Sequence, residues 1–232
     1  MKLYTYQEEL LNSNADKIVI NWCRGAGKEY AIARYILDRE INKVACLGYI
    51  SYSSLINSFE ELSKQYDLKL NTSLQSRTTE INLKGSKRVI EVEAFSLAHT
   101  EFEDYDLVIG DMYSSIKSKS HIIPITKNIH TDNFPNEYLV HTVDYKLALS
   151  QGAINLDDLL NIALDEKETF YREFALNDKF IKAEKNFEEF TKEALKRLQK
   201  QFLNTSDSKD TVLTRKNIIE MIKDLKEMSG LK

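Results

Sequence analysis

The sequence is poor in the residues that build turn-rich, disulfide-bonded or membrane-spanning proteins. Its 232 residues include only 7 Gly, 2 Pro and 2 Cys. So few Gly and Pro argue against long flexible linkers and an all-β architecture, and Cys23 and Cys46 have neither metal-binding nor redox spacing, which suits a reducing compartment. No window approaches the roughly 18 apolar residues of a membrane span, and acidic residues occupy the place of a signal peptide's apolar run. We therefore expect a cytoplasmic protein without membrane contact.

The charge balance excludes a strong overall attraction to nucleic acid. With 32 Lys and Arg against 36 Asp and Glu, the formal net charge is -4, so contact with double-stranded DNA would need a local basic patch. Patches of basic residues interspersed with acidic or neutral ones are more commonly solvated faces than DNA-binding surfaces. The candidate patches contain Lys117, Lys119 and Lys127 and, further on, Lys192, Lys196, Arg197 and Lys200.

The pattern of apolar residues divides the chain in two. Residues 1–150 alternate short apolar runs with helical patterns, which is typical of βαβ units. Runs at Lys17–Trp22 and Asp104–Asp111 predict buried strands, and the glycine turn Lys84–Ser86 predicts a hairpin. Residues 151–232 instead carry apolar side chains at helical spacing. We predict an α/β domain over residues 1–150 with a mainly parallel sheet flanked by helices, and an all-helical extension over residues 151–232.

The stretch NWCRGAGKEYAIA, residues 21–33, has the form of a phosphate-binding loop that opens a helix. Glycines let the backbone turn around an anion, the N–H groups of the loop and helix converge on it, and a lysine adds positive charge. A predicted strand precedes this loop and a predicted helix follows it, which is the context that the motif requires. The alternative is a strand-to-helix turn whose glycines serve backbone geometry alone. The motif predicts a P-loop NTPase-like fold. Its predicted phosphate ligands are Gly25, Ala26, Gly27 and Lys28.

Glu29 departs from the usual phosphate loop, because a Ser or Thr hydroxyl normally binds Mg²⁺ at this position. A carboxylate ~4 Å from a phosphate oxygen costs about 4 kcal/mol at an effective dielectric near 20. Two outcomes are open. Either Glu29 points away and leaves a metal-poor phosphate site, or it joins the metal ligands itself.

Asp111 is the candidate metal-binding carboxylate. It stands at the end of the apolar strand DLVIGD, as the aspartate of a Walker B segment does. Met112 follows where a water-activating glutamate is expected, and a thioether cannot polarise water. The alternative is an aspartate that caps the next turn. We predict that Asp111 orders Mg²⁺ and that hydrolysis is weak or lost.

The order of these segments resembles the ATPase domain of the large terminase subunits of tailed bacteriophages, which package viral DNA. NWCRGAGK is similar to that family's Walker A form, DLVIGDM to its Walker B segment and LVHTVD to its coupling motif, while LYTYQEELL resembles its adenine-recognising segment. The resemblance covers residues 3–144. The family's carboxylate-rich nuclease domain has no expected counterpart in the short helical remainder.

The resemblance assigns roles to individual residues. It implies that Gln7 reads the adenine of ATP with Tyr6 beside it, and that Arg24 approaches the γ-phosphate. It also implies that Thr142 senses the nucleotide state. Each of these residues has a plainer alternative: Gln7 as an ordinary helix residue, Arg24 as a surface ion pair and Thr142 as a strand hydroxyl.

Two functions follow from the sequence. The first is a terminase-like P-loop protein that binds ATP and Mg²⁺ in viral DNA packaging or another DNA-handling step, in the cytoplasm of a bacterial host if a phage encodes it. Arg24, Lys28 and Asp111 would then carry any ATPase activity. The second is a non-hydrolysing regulatory or assembly module whose helical extension binds a motor subunit or other partner protein, or forms an oligomer.

Overall fold

The computed structural model describes residues 3–73, 75, 77–96, 101–110, 118–125, 134–155, 158–159, 162, 169–174 and 196. The chain divides into two units, Met1–Ala153 and Ile154–Lys232. Most described residues belong to the first unit, which carries the sheet. The predicted helical extension lies mainly outside the described residues, and its only described element of several residues is a π-helical turn at Phe170–Phe174.

The first unit contains four helices and eight strands among its described residues. The helices are α1 (Thr5–Leu11), α2 (Lys28–Asp38), α3 (Tyr49–Tyr66) and α4 (Tyr145–Ser150). The strands are β1 (Lys17–Trp22), β2 (Lys43–Leu47), β3 (Leu68–Ser73), β4 (Thr78–Leu83), β5 (Val89–Phe95), β6 (Leu107–Ile109), β7 (His121–Pro124) and β8 (Leu139–Val143). No described helix has the length and apolar character that crossing a membrane requires.

The eight strands form one sheet in the order β3-β4-β5-β2-β6-β7-β1-β8. The six strands from β5 to β8 in this order run parallel, and β4 pairs antiparallel with both β3 and β5. The predicted α/β fold with a mainly parallel sheet is therefore confirmed. Parallel strands need crossover connections that cover both faces, which accounts for the nearly continuous apolar character of β1, β2, β6 and β7.

The helix that follows the phosphate-loop sequence is held at its carboxyl end by Arg88. At its carboxyl end, Arg88 donates to the carbonyl oxygens of Ile36, Leu37 and Ile41 at 2.8, 2.9 and 2.7 Å. These bonds satisfy carbonyls that have no partner within the helix, and they place a cation at the negative end of its dipole. Arg88 thus ties α2 to the start of β5 and fixes the position of the helix over the sheet.

Candidate functional site

The loop at residues 23–27 connects the carboxyl end of β1 to the amino end of α2. Gly25 and Gly27 have φ of 80° and 73°, a left-handed conformation that side chains disfavour. Cys23 N–H donates to Val143 O of the neighbouring strand at 2.8 Å, and Ala26 N–H donates to Cys23 O at 3.2 Å. The N-cap residue of α2 is Gly27, which makes no side-chain capping bond. The first N–H groups of this helix are therefore directed to the loop, as in a phosphate-binding turn.

Lys28 turns back beneath the loop. Its side chain is 6% exposed, and Nζ donates to Ile125 O at 2.5 Å and to Trp22 O at 3.4 Å. A buried ammonium group needs such oxygen partners because desolvation is costly. The ammonium group is thus held between the ends of β1 and β7, in contact with backbone carbonyl oxygens. No sequence pattern points to Ile125, because its contribution is a carbonyl oxygen.

Side chains of helix α1 contact the backbone carbonyl oxygens of the loop. Tyr6 Oη donates to Ala26 O at 3.0 Å. Gln7 Nε2 lies 3.4 Å from the carbonyl oxygens of both Ala26 and Gly27. Both side chains are buried. The structure therefore brings Tyr6 and Gln7 to the loop, where their polar atoms contact loop backbone. Their proposed role toward adenine stays a prediction.

Trp22 occupies the place of the first glycine of the usual motif and is 2% exposed. Its indole Nε1 donates to Nδ1 of His141 at 2.8 Å, and its ring packs edge-on against Tyr6 with centroids 5.0 Å apart. His141 Nε2 in turn lies 3.4 Å from a carboxylate oxygen of Glu9. Sequence reasoning did not assign His141 a role, because 119 residues separate it from Trp22.

The remaining loop residues differ in their surroundings. Arg24 is exposed in the loop, and Glu29 is half-buried in the first turn of α2. Thr142 is exposed on β8, directly opposite Asn21 of β1 in the parallel register. Thr142 is therefore on the strand that pairs with β1, and its role as a sensor of the nucleotide stays a prediction.

The predicted metal ligand cannot be placed in the same way. Asp111 and Met112 lie outside the described residues, and β6 ends just before them at Ile109. The intervening Gly110 passes so close to β2 that a Cβ atom there would lie 2.5 Å from Leu47 Cβ. Within the described ranges, no three His, Cys, Asp or Glu side chains come together as metal ligands.

His121 contacts the same end of β6. It is 1% exposed, and its ring nitrogens lie 2.9 Å from Tyr138 Oη and 3.3 Å from Gly110 O. Burial lowers the pKa of His121 to about 4, so the ring is neutral at pH 7. Tyr138 also faces Lys17, whose Nζ lies 5.6 Å from the ring centroid. The sequence predicted no role for His121.

Cys23 is the one thiol of the loop. Burial raises the pKa of this thiol to about 12. The nucleophilic form of cysteine is the thiolate, so Cys23 is unreactive at neutral pH. The chemistry available to the loop is electrostatic: it can hold an anion with N–H groups and Lys28, and Cys23 offers no covalent route.

The fold is shared with solved structures. No protein-family model and no curated protein matches the sequence. The ATPase domain of the Thermus phage P74-26 large terminase matches at a TM-score of 0.51 and 10% identity, covering 76% of this chain and 94% of that one. The large terminase of a second, thermophilic bacteriophage matches at a TM-score of 0.55 and 12% identity, over 75% of this chain and 53% of that one. Its complex with ATP-γ-S matches at 0.54 and 13% identity, over 76% and 53%.

These similarities are too distant in sequence to transfer an activity, but they agree on architecture. Each of the three structures covers about three quarters of this chain at a TM-score above 0.5. The chain therefore has the fold of the ATPase domain of phage large terminases.

Proposed function

We propose that this protein binds ATP through the loop at residues 23–28 and acts in viral DNA packaging or a related DNA-handling step, with weak or lost hydrolysis. The observation that carries the proposal is the combination of left-handed Gly25 and Gly27 with Lys28 at the start of an uncapped helix. This arrangement is a geometry for holding phosphate. The large terminase of the thermophilic bacteriophage, which shares the fold, has been solved with ATP-γ-S.

The ammonium group of Lys28 suits a phosphate group. A phosphate brings a full opposite charge and accepts strong, charge-assisted hydrogen bonds. The lysine would exchange Ile125 O and Trp22 O for phosphate oxygens. Exposed Arg24 belongs to the same loop, and its proposed role is to contact the terminal phosphate.

Weak or lost hydrolysis follows from the residues at the metal-handling positions. Glu29 is half-buried in the first turn of α2, so its charge lies on the helix that would receive the phosphates. Asp111 is the proposed Mg²⁺ ligand, and Met112 offers no group that polarises water. Bound Mg²⁺ would neutralise phosphate charge. The carboxylate of Glu29 would either become one of the Mg²⁺ ligands or repel the phosphates of the nucleotide.

DNA binding is the part of the proposal that rests on the shared architecture. Of the residues in the two basic patches, the structure describes Lys119 and Lys196, and both are exposed. Exposure keeps them accessible to a phosphate backbone. If a partner protein supplied the water-activating carboxylate that is expected at the position of Met112, ATP hydrolysis would be restored.

Trp22 provides a built-in reporter for the test, because it is the only tryptophan and lies at the start of the loop. ATP should produce a saturable change in its fluorescence, with and without Mg²⁺, that the Lys28→Ala variant lacks. Phosphate release should stay near the level of that variant. Rapid release that depends on Lys28 would overturn the claim of weak hydrolysis, and no fluorescence change together with no release would oppose the nucleotide site.

A further inference from the structure

We infer that Gln7 positions the phosphate loop instead of reading the base, so that the site selects nucleoside triphosphates through their phosphates and discriminates little between adenine and guanine. The inference rests on the proposed nucleotide site and concerns its specificity. It assigns to Gln7 a role that differs from the one implied by family resemblance.

The amide of Gln7 is buried, and both its nitrogen and its oxygen make polar contacts. The side chain is 3% exposed. Nε2 lies 3.4 Å from Ala26 O and 3.4 Å from Gly27 O, and Oε1 accepts a hydrogen bond from Tyr4 N–H at 3.1 Å. A base would have to enter a closed space to reach this group.

The hydrogen-bonding capacity of a primary amide makes the two roles compete. Glutamine has two N–H donors and one carbonyl oxygen. To read adenine, it would donate to a ring nitrogen and accept from the exocyclic amine. Both donors of Gln7 face loop carbonyls and its oxygen accepts from Tyr4 N–H, so reading a base would require the buried amide to give up these contacts.

The loop backbone is fitted to this amide. A Cβ atom at position 27 would lie 2.8 Å from Gln7 Nε2, so the amide fills the space that a side chain at position 27 would need. Tyr6 Oη holds Ala26 O at 3.0 Å from the same helix. These contacts direct the carbonyls of Ala26 and Gly27 toward α1 and hold the loop backbone in place. Gln7 therefore supports phosphate binding whatever base the nucleotide carries.

Calorimetric titration of the full chain with ATP, GTP and inorganic tripolyphosphate tests the inference. We expect ATP and GTP to bind within about threefold of each other, and tripolyphosphate to compete with both. Gln7→Ala should weaken ATP and GTP by the same factor, on the order of tenfold, because the loop loses its support. Gln65→Ala, a change at an exposed glutamine of α3, should alter neither affinity.

Two results would overturn the inference in distinguishable ways. ATP binding more than tenfold tighter than GTP, with the difference abolished in Gln7→Ala, would make Gln7 a reader of adenine and leave the nucleotide site intact. Binding of neither nucleotide nor tripolyphosphate would remove the proposed function and this inference together. The comparison of ATP with GTP on the unmodified chain is decisive even if Gln7→Ala does not fold, which circular dichroism would show.

Discussion

The indole Nε1 of Trp22 donates a hydrogen bond of 2.8 Å to Nδ1 of His141. Because an indole nitrogen only donates, Nδ1 of His141 carries no proton, and the imidazole proton lies on Nε2, toward Glu9. The start of the phosphate loop is thereby fastened to β8, one residue before Thr142. A glycine at position 22 could not make this contact. Trp22 therefore attaches the start of the loop to β8, where a glycine would leave the backbone more flexible.

Trp22→Phe should destabilise the protein while keeping the aromatic packing against Tyr6. The phenyl ring has no donor, so Nδ1 of His141 loses its partner, at a cost of about 1–2 kcal/mol. Urea unfolding measures the change, and a double-mutant cycle with His141→Phe isolates the coupling between the two side chains. Additive effects of the two substitutions would show that the hydrogen bond contributes nothing of its own.

His121 should make stability depend on pH in the acidic range. Its folded-state pKa of about 4 lies below the usual 6.5, so between these values the unfolded chain binds the proton that the folded chain excludes. Stability therefore rises with pH in this window and is lost as pH falls from 6.5 toward 4, by roughly 3 kcal/mol at about 1.4 kcal/mol per pKa unit.

The variant His121→Gln tests this origin of the pH dependence, because glutamine does not titrate and can still donate toward Gly110 O. The difference in unfolding free energy between the two proteins, followed from pH 7 to pH 4, cancels the contribution of the carboxylates. We expect that difference to shift in favour of the variant as pH falls. A difference that stays constant over the window would show that His121 titrates normally.

Glu29→Gln should strengthen nucleotide binding by removing negative charge from the first turn of α2. The like-charge cost of about 4 kcal/mol at ~4 Å is an upper bound, so we expect tightening of roughly tenfold at low salt that shrinks as salt screens the charge. Dissociation constants for ATP at two ionic strengths measure it. Glu40→Gln, beyond the other end of α2, is the control. Weaker binding of Mg²⁺-ATP by Glu29→Gln would instead make Glu29 a metal ligand.

Arg88→Lys should destabilise the fold although it preserves the charge. Lysine cannot reproduce the planar set of donors that reaches two carbonyls in the last turn of α2 and that of Ile41 beyond it, so we expect a loss of about 1–3 kcal/mol in unfolding free energy. Lys87→Ala, at the exposed neighbouring position, should change stability by less than about 0.5 kcal/mol. Equal effects of the two substitutions would show that the carbonyl contacts are unimportant.

The sequence predicts those parts of the fold that have strong local patterns. The apolar run at 17–22, the glycine turn and the following amphipathic segment predict β1, the loop and α2 because each signal is contained within a few neighbouring residues. The hairpin of β4 and β5 is identified in the same way, since alternating residues flank Gly85.

Two strands escape such reasoning for physical reasons. β7 is only four residues long and ends at Pro124, so its apolar run is too short to separate from its polar surroundings. β3 is an edge strand with mostly exposed, polar side chains, and its pairing with β4 depends on backbone hydrogen bonds that no side-chain pattern reports.

The candidate site likewise has one part that local sequence patterns indicate and another part that only the folded sheet brings together. Residue types and spacing indicate the loop and Lys28, whereas the contacts of Lys28 with Ile125 O and of Trp22 with His141 join residues 97 and 119 positions apart. Such contacts arise only when β7 and β8 take their places on either side of β1. The sensor role of Thr142 and the metal role of Asp111 stay predictions, whereas for Gln7 we infer a loop-positioning role in place of the predicted adenine role.

The central claim is that Lys28 and its loop bind the phosphates of ATP, and calorimetry of matched lysine variants tests it most directly. Lys28→Ala removes the buried ammonium group of the loop, and Lys43→Ala removes an exposed one at the start of β2. We predict saturable heat of ATP binding for the unmodified protein and for Lys43→Ala, and affinity at least roughly tenfold weaker for Lys28→Ala. Equal affinities in all three proteins, or no heat in any, would contradict the claim.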